Sequence, residues 1–133
     1  MSLARDLGAF AAATAANTLP AAAGATVTRL LYDVAGLCVA ARKTVYVAAA
    51  RASAASSGRA TAIGHEGGFG PYDAALVNGT AAHGEDYDDT FEGGPVHAGA
   101  VVVPAVLAAC EHRGLSGVPQ SKASPPVWRS CAA

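Results

Sequence analysis

The chain has 133 residues and a mass of 13.1 kDa, the size of one ordinary domain with no room for a second. Its formal net charge is -1 and its sequence pI is near 6.4, so it has no basic field to hold a phosphate backbone or an anionic membrane; nucleic acid and membranes are not expected partners. Alanine dominates a hydrophobic fraction of 52%, and because alanine buries little area per residue only a modest core is expected.

The first expected element is a helix capped by Ser2, with Leu3, Leu7 and Phe10 on one face, ending near Asn17 before Pro20. A secretory leader is not expected over this stretch, because Asp6 lies beside Arg5 and Asn17, Thr18 and Pro20 interrupt a weakly apolar run. A second helix carries Val27, Leu30, Leu31, Val34, Leu37, Cys38 and Ala41 at the 3.6 period, with Thr28, Arg29 and Asp33 on other faces. No uninterrupted apolar run reaches the roughly 20 residues that span a bilayer. Residues 43–55 predict a third, alanine-rich helix, for which Val45 and Val47 make a strand the alternative.

Residues 56–70 shift to Ser and Gly, with a short extended piece over 60–63 and a hinge-like loop over 64–70. Pro71 suits the first position of a helix on which Tyr72, Leu76, Gly79 and His83 share a face, beside Ala75, Asn78, Ala82 and Asp86. Asn78-Gly79-Thr80 is formally a glycosylation sequon, but within a helix it reads as packing or site geometry. After an acidic loop over 87–96, a last helix follows over 98–110 with Val102, Ala105, Val106 and Ala109 at helical spacing, Gly114 to close it, and a kink or a late start expected at Pro104. Residues 118–133, with Pro119, Pro125, Pro126 and Trp128, show neither period and read as an irregular tail. The fold class is therefore all-α.

Cys38, Cys110 and Cys131 are odd in number and never spaced Cys-x-x-Cys, which argues against a disulfide framework and a zinc ribbon and fits a reducing cytoplasm.

The densest chemical signal is His83-Gly84-Glu85-Asp86-Tyr87-Asp88-Asp89-Thr90, followed by His97. The crowded carboxylates repel one another, a destabilising choice unless protons, cations or hydrogen bonds compensate; the plain alternative is a solvated acidic loop. Asp88-Asp89-Thr90-Phe91-Glu92 formally matches a magnesium-holding Asp-Asp-x-x-Glu cluster for diphosphate ionisation, but the chain is only 6% aromatic and such enzymes need a large aromatic-lined cavity. An EF-hand fails, because Phe91 falls where the turn glycine belongs. Acid-base chemistry fits better: His83 and His97 bracket the carboxylates, and His97 precedes a helix whose free N-terminal N–H groups favour an anionic ligand.

The run from Asp73 through Asn78, His83, Asp86, Asp88, Asp89 and Thr90, then His97-Ala98-Gly99 and on to Pro104, resembles the MmgE/PrpD family, and residues 30–36 resemble its second helix. Ala98 stands where many relatives have proline. The resemblance covers roughly residues 3–117, the helical N-terminal part of longer proteins, and implies a truncated domain over 1–117 with a non-family tail over 118–133, as a shifted reading frame or an abrupt stop would produce. It implies a lyase of the 2-methylcitrate dehydratase type, working without metal or organic cofactor on a small di- or tricarboxylate, with a family decarboxylase or epimerase as the alternative. It further implies catalytic roles for Asp86, Thr90 and His97 and substrate binding by His83 and Asp89. Family members form homodimers, which this chain need not do. With part of the site missing, the chain alone is not expected to be active, and a non-catalytic helical fragment or assembly module using the face over 27–41 is the competing expectation.

Overall fold

The computed structural model describes residues 2–16 and 21–115. Those residues form five helices and one short strand, in the order α1 (Leu3–Ala16), α2 (Ala21–Ala41), α3 (Val45–Ala52), β1 (Ser57–Ala60), α4 (Pro71–His83) and α5 (Ala98–His112). The all-α expectation holds. The irregular tail expected over 118–133 lies outside the described residues.

Helix α4 is the hub, packing most extensively on α5 and also on α2, α3 and β1. It starts where Gly70, in extended conformation, gives way to Pro71, whose missing N–H falls at a position that has no helical acceptor. Its buried face is Ala74, Val77, Asn78, Ala81 and Ala82, whereas Tyr72 and Leu76, on the face shared with Gly79 and His83, point outward. The main core joins these residues to Val34, Cys38 and Ala41 of α2, Val47 of α3, Ala62, and Ala100 and Val103 of α5. Such a core is small-residue throughout, so the helices approach closely. Gly79 is one enabling position: a Cβ there would sit 3.0 Å from the Ala100 carbonyl oxygen. That carbonyl would ordinarily accept from the N–H four residues on, but residue 104 is proline and has none. Pro104 is fully buried within a helix that runs on past it.

The α5 stripe differs from expectation. Val103, Pro104, Ala108 and Cys110 face inward, while Val102 and Ala105 are exposed, because a helix that is apolar from residue 98 to 110 has no polar side and its pattern cannot select a face. On α2 the inward residues are Val34, Cys38 and Ala41, flanked by Leu30 and Leu37; Val27 and Leu31 are exposed. The segment over Ala22–Ala41 is, with a mean hydropathy of 1.2, long and apolar enough to cross a membrane by length and composition alone, although it is not an uninterrupted apolar run. Arg29 and Asp33 lie within it and its C-terminal half packs in the core.

The Ser/Gly segment is pinned rather than hinge-like. Phe69 bridges antiparallel to Ser57 and Ala60, and Ser56 donates from both its backbone N (2.8 Å) and its Oγ to Asp73 Oδ2, which holds the Asp73 carboxyl below its usual range. Thr61 donates from N and Oγ1 to the two carboxylate oxygens of Glu111, at 2.7 and 2.8 Å. Buried Asn78 accepts from the Ile63 N–H at 2.7 Å and donates to the Thr61 carbonyl at 2.8 Å, so the sequon asparagine is a structural clasp. Cys38 donates from Sγ to the Asn78 carbonyl at 3.3 Å, and burial pushes its thiol up to about 11, which makes it inert. Cys110 is disulfide-bonded, so the odd cysteine count did not exclude a bridge.

Candidate functional site

Helix α4 ends at His83, with Gly84 as its C-cap. A Cβ at Gly84 would overlap the Tyr46 ring, so glycine is required where α3 closes over the end of α4. Tyr46 donates to Glu85 Oε1 at 2.7 Å, and this hydrogen bond to a carboxylate is the main reason its phenol titrates above the usual value. The chain then reverses at Asp86, whose φ of 58° places a non-glycine residue in the left-handed region. The reversal sends Asp86 outward and carries Asp88 back underneath. The Asp88 side chain is fully buried, while that of Asp86 is 78% exposed.

Asp88 is the centre of the site. His83 Nδ1 lies 3.0 Å from its Oδ1 and 3.2 Å from its Oδ2. His97 comes from the N-cap position of α5 and places Nδ1 3.4 Å from the same Oδ1, an ion-pair distance without hydrogen-bond geometry, so this buried nitrogen has no hydrogen-bond partner. His97 Nε2 lies 3.8 Å from Asp86 Oδ1. The two imidazole rings stand 4.7 Å apart at 60°, a tilted pair. One donor atom from each of His83, Asp86, Asp88 and His97 lies within 4.8 Å of every other, so among the described residues these four are the group that could hold a metal ion.

Asp89 does something else. Its Oδ1 accepts from the Gly99 N–H at 2.8 Å, satisfying a free donor in the first turn of α5. The anion expected at that helix end is thus the chain's own carboxylate. Gly99 makes the contact feasible, since a Cβ there would overlap Asp89 Oδ1 and lie 2.7 Å from Leu30 Cδ1. By tying the loop to the start of α5, Asp89 sets where His97 stands.

Both imidazoles open onto a groove of about 810 Å³ lined chiefly by Tyr46, Leu76, Gly79, Thr80, His83 and His97. A second concavity of about 530 Å³, between α3 and the Ser/Gly segment, contains none of the clustered His and Asp residues. Of the residues expected at the site, His83, Asp86 and His97 are brought together, Asp89 sits behind them as a helix cap, and Thr90 is exposed and does not line the groove. Asp88 was not singled out from sequence as a site residue, because in a run of four neighbouring carboxylates nothing marks the one the backbone turns inward. Tyr46 was missed as well, since it is remote in sequence and carries no motif. The diphosphate-ionising pattern is not assembled: Asp88 is committed to two histidines and Asp89 to α5.

A model of the MmgE/PrpD N-terminal domain matches residues 5–122. A cis-aconitate decarboxylase-like protein of Aspergillus oryzae, oryM, is 35% identical over 54 residues, which make up 41% of this chain and 11% of that protein. The chain therefore matches only about a tenth of that relative's length. No solved structure matches. With the family's domain covering all but the two ends of the chain, this protein belongs to the MmgE/PrpD family, through its N-terminal domain.

Proposed function

We propose that this domain contributes the acid-base half of a lyase site of the 2-methylcitrate dehydratase type, acting on a small di- or tricarboxylate. The observation that carries the reading is the buried Asp88 carboxylate held between His83 and His97 at the edge of an open groove. Elimination next to a carboxylate takes a proton from carbon and releases a hydroxyl group as water, so it needs a base and an acid placed on one substrate. Asp88 orients the two rings, and the ring atoms of His83 and His97 that face the groove hold and return the proton. Asp86, exposed at the mouth and near His97 Nε2, is the third proton-carrying group. Thr90, at the exposed rim, would reach only the solvent end of a ligand. Among the described residues no Lys or Arg lines the groove, so the substrate's carboxylates would be met by groups outside them.

Decarboxylation is the second reading, favoured by the printed name of the Aspergillus oryzae relative. One assay separates these chemistries: incubate the protein in heavy water with 2-methylcitrate, cis-aconitate or a chiral dicarboxylate, and follow the products by mass spectrometry. Loss of water supports the dehydratase, loss of carbon dioxide the decarboxylase, and deuterium gain without fragmentation an epimerase. His97→Gln should lower whichever turnover is found by about a hundredfold or more. No turnover, together with unmoved His83 and His97 NMR signals on adding each acid, would end the reading.

A further inference from the structure

The donor set around Asp88 suits more than protons. His83 Nδ1 and His97 Nδ1 stand 3.0 and 3.4 Å from one oxygen of Asp88. Zinc-type ions bound tetrahedrally, at about 2.0–2.2 Å to nitrogen and oxygen, space their ligands roughly 3.3–3.5 Å apart, so these separations are already close to those of a chelate. Asp86 completes four donors, all mutually within 4.8 Å. Independently, His97 Nδ1 is buried and lacks a hydrogen-bond partner although it faces this oxygen, a ring nitrogen the protein leaves unsatisfied. The charge points the same way: with neutral imidazoles the cluster holds two carboxylates, one of them fully buried, and no Lys or Arg among the described groove-lining residues offsets them.

From this geometry we propose that His83, Asp86, Asp88 and His97 form a chelating site for a borderline-soft divalent cation of the zinc class. Two imidazole nitrogens with two carboxylates select such an ion over magnesium or calcium, which prefer all-oxygen shells. The ion takes the two Nδ1 atoms through which Asp88 orients the rings, so it acts as a reversible blocker of the acid-base site rather than as its cofactor. The inference uses the same residues as the proposed function but does not depend on any substrate.

The test is equilibrium titration of the full chain with zinc by calorimetry, repeated with cobalt to read the visible bands of a low-coordinate ion. Expected are one equivalent of zinc bound at micromolar strength or better, no displacement by a large excess of magnesium, and tetrahedral-type cobalt bands. The paired variant His83→Gln with His97→Gln should weaken binding by about a hundredfold or more, and Asp86→Asn, at an exposed position that does not threaten the fold, by about tenfold. A His65→Gln, His112→Gln control should bind as the parent does. Absence of zinc binding by the parent, or binding unchanged in the paired variant or in Asp86→Asn, overturns the site. Because no substrate is present, zinc failure leaves the lyase reading standing, and loss of turnover in His97→Gln without any zinc binding separates the two.

Discussion

The two ends of the described chain use apolar residues in opposite ways. Around α4 and α5 the fully buried apolar positions are small, mostly Ala and Val, and larger side chains such as Phe69 and Leu107 pack only at the edge of the core. On α1 and the first half of α2 the large side chains Leu3, Leu7, Phe10, Val27 and Leu31 are all exposed, and α1 has no substantial packing on any other described element. Amphipathic spacing therefore marks α1 and α2 more plainly than α4 and α5, yet it is the α4–α5 end that has its packing partners within the described residues. Area buried per residue, rather than hydrophobicity, separates the stable part from the arm.

That contrast can be broken most sharply at Gly99. Gly99→Val drives side-chain atoms into Asp89 and Leu30, so a loss of about 3 kcal/mol is expected in urea unfolding, with His97 displaced as well. A parent-like midpoint would show that α5 can step away from the loop and that its close packing is not what sustains the fold. Asn78→Ala is the next largest change, expected to cost about 2 kcal/mol because the Ile63 N–H and the Thr61 carbonyl both lose their partner in a part-buried setting. Amide exchange at Ile63 should speed up in parallel; protection that survives the substitution would mean that Glu111 alone secures the segment. The smallest effect belongs to the arm. Leu7→Ser combined with Phe10→Ser should leave the midpoint within about 0.5 kcal/mol while lowering binding of an apolar dye. A large destabilisation would place a packing partner against α1.

Much of this architecture could be read directly. Pro71 after Gly70, the 3.6 period of residues 27–41 and the small-residue run after His97 located the helices, because caps and periodicity are local. What could not be read was which side of α4 and α5 faces inward. Tyr72 and Leu76 are the larger apolar side chains of α4 but stay exposed, and the inward side is that of Ala74, Val77, Asn78, Ala81 and Ala82. At the site, the histidines and Asp86 were legible from their motif. The burial of Asp88 and the capping by Asp89 were not, since both depend on one backbone reversal that no residue type announces when the position is held by Asp rather than Gly.

That reversal has an evolutionary consequence. A φ of 58° costs an L-residue energy that glycine avoids, so Asp86→Gly should make the folded chain more stable by about 1 kcal/mol in thermal unfolding while removing the carboxylate at the groove mouth. Selection for robustness alone would drift toward glycine at this position. The carboxylate at the groove mouth is held at the expense of stability, and a screen of variants for thermal resistance alone should return glycine at this turn.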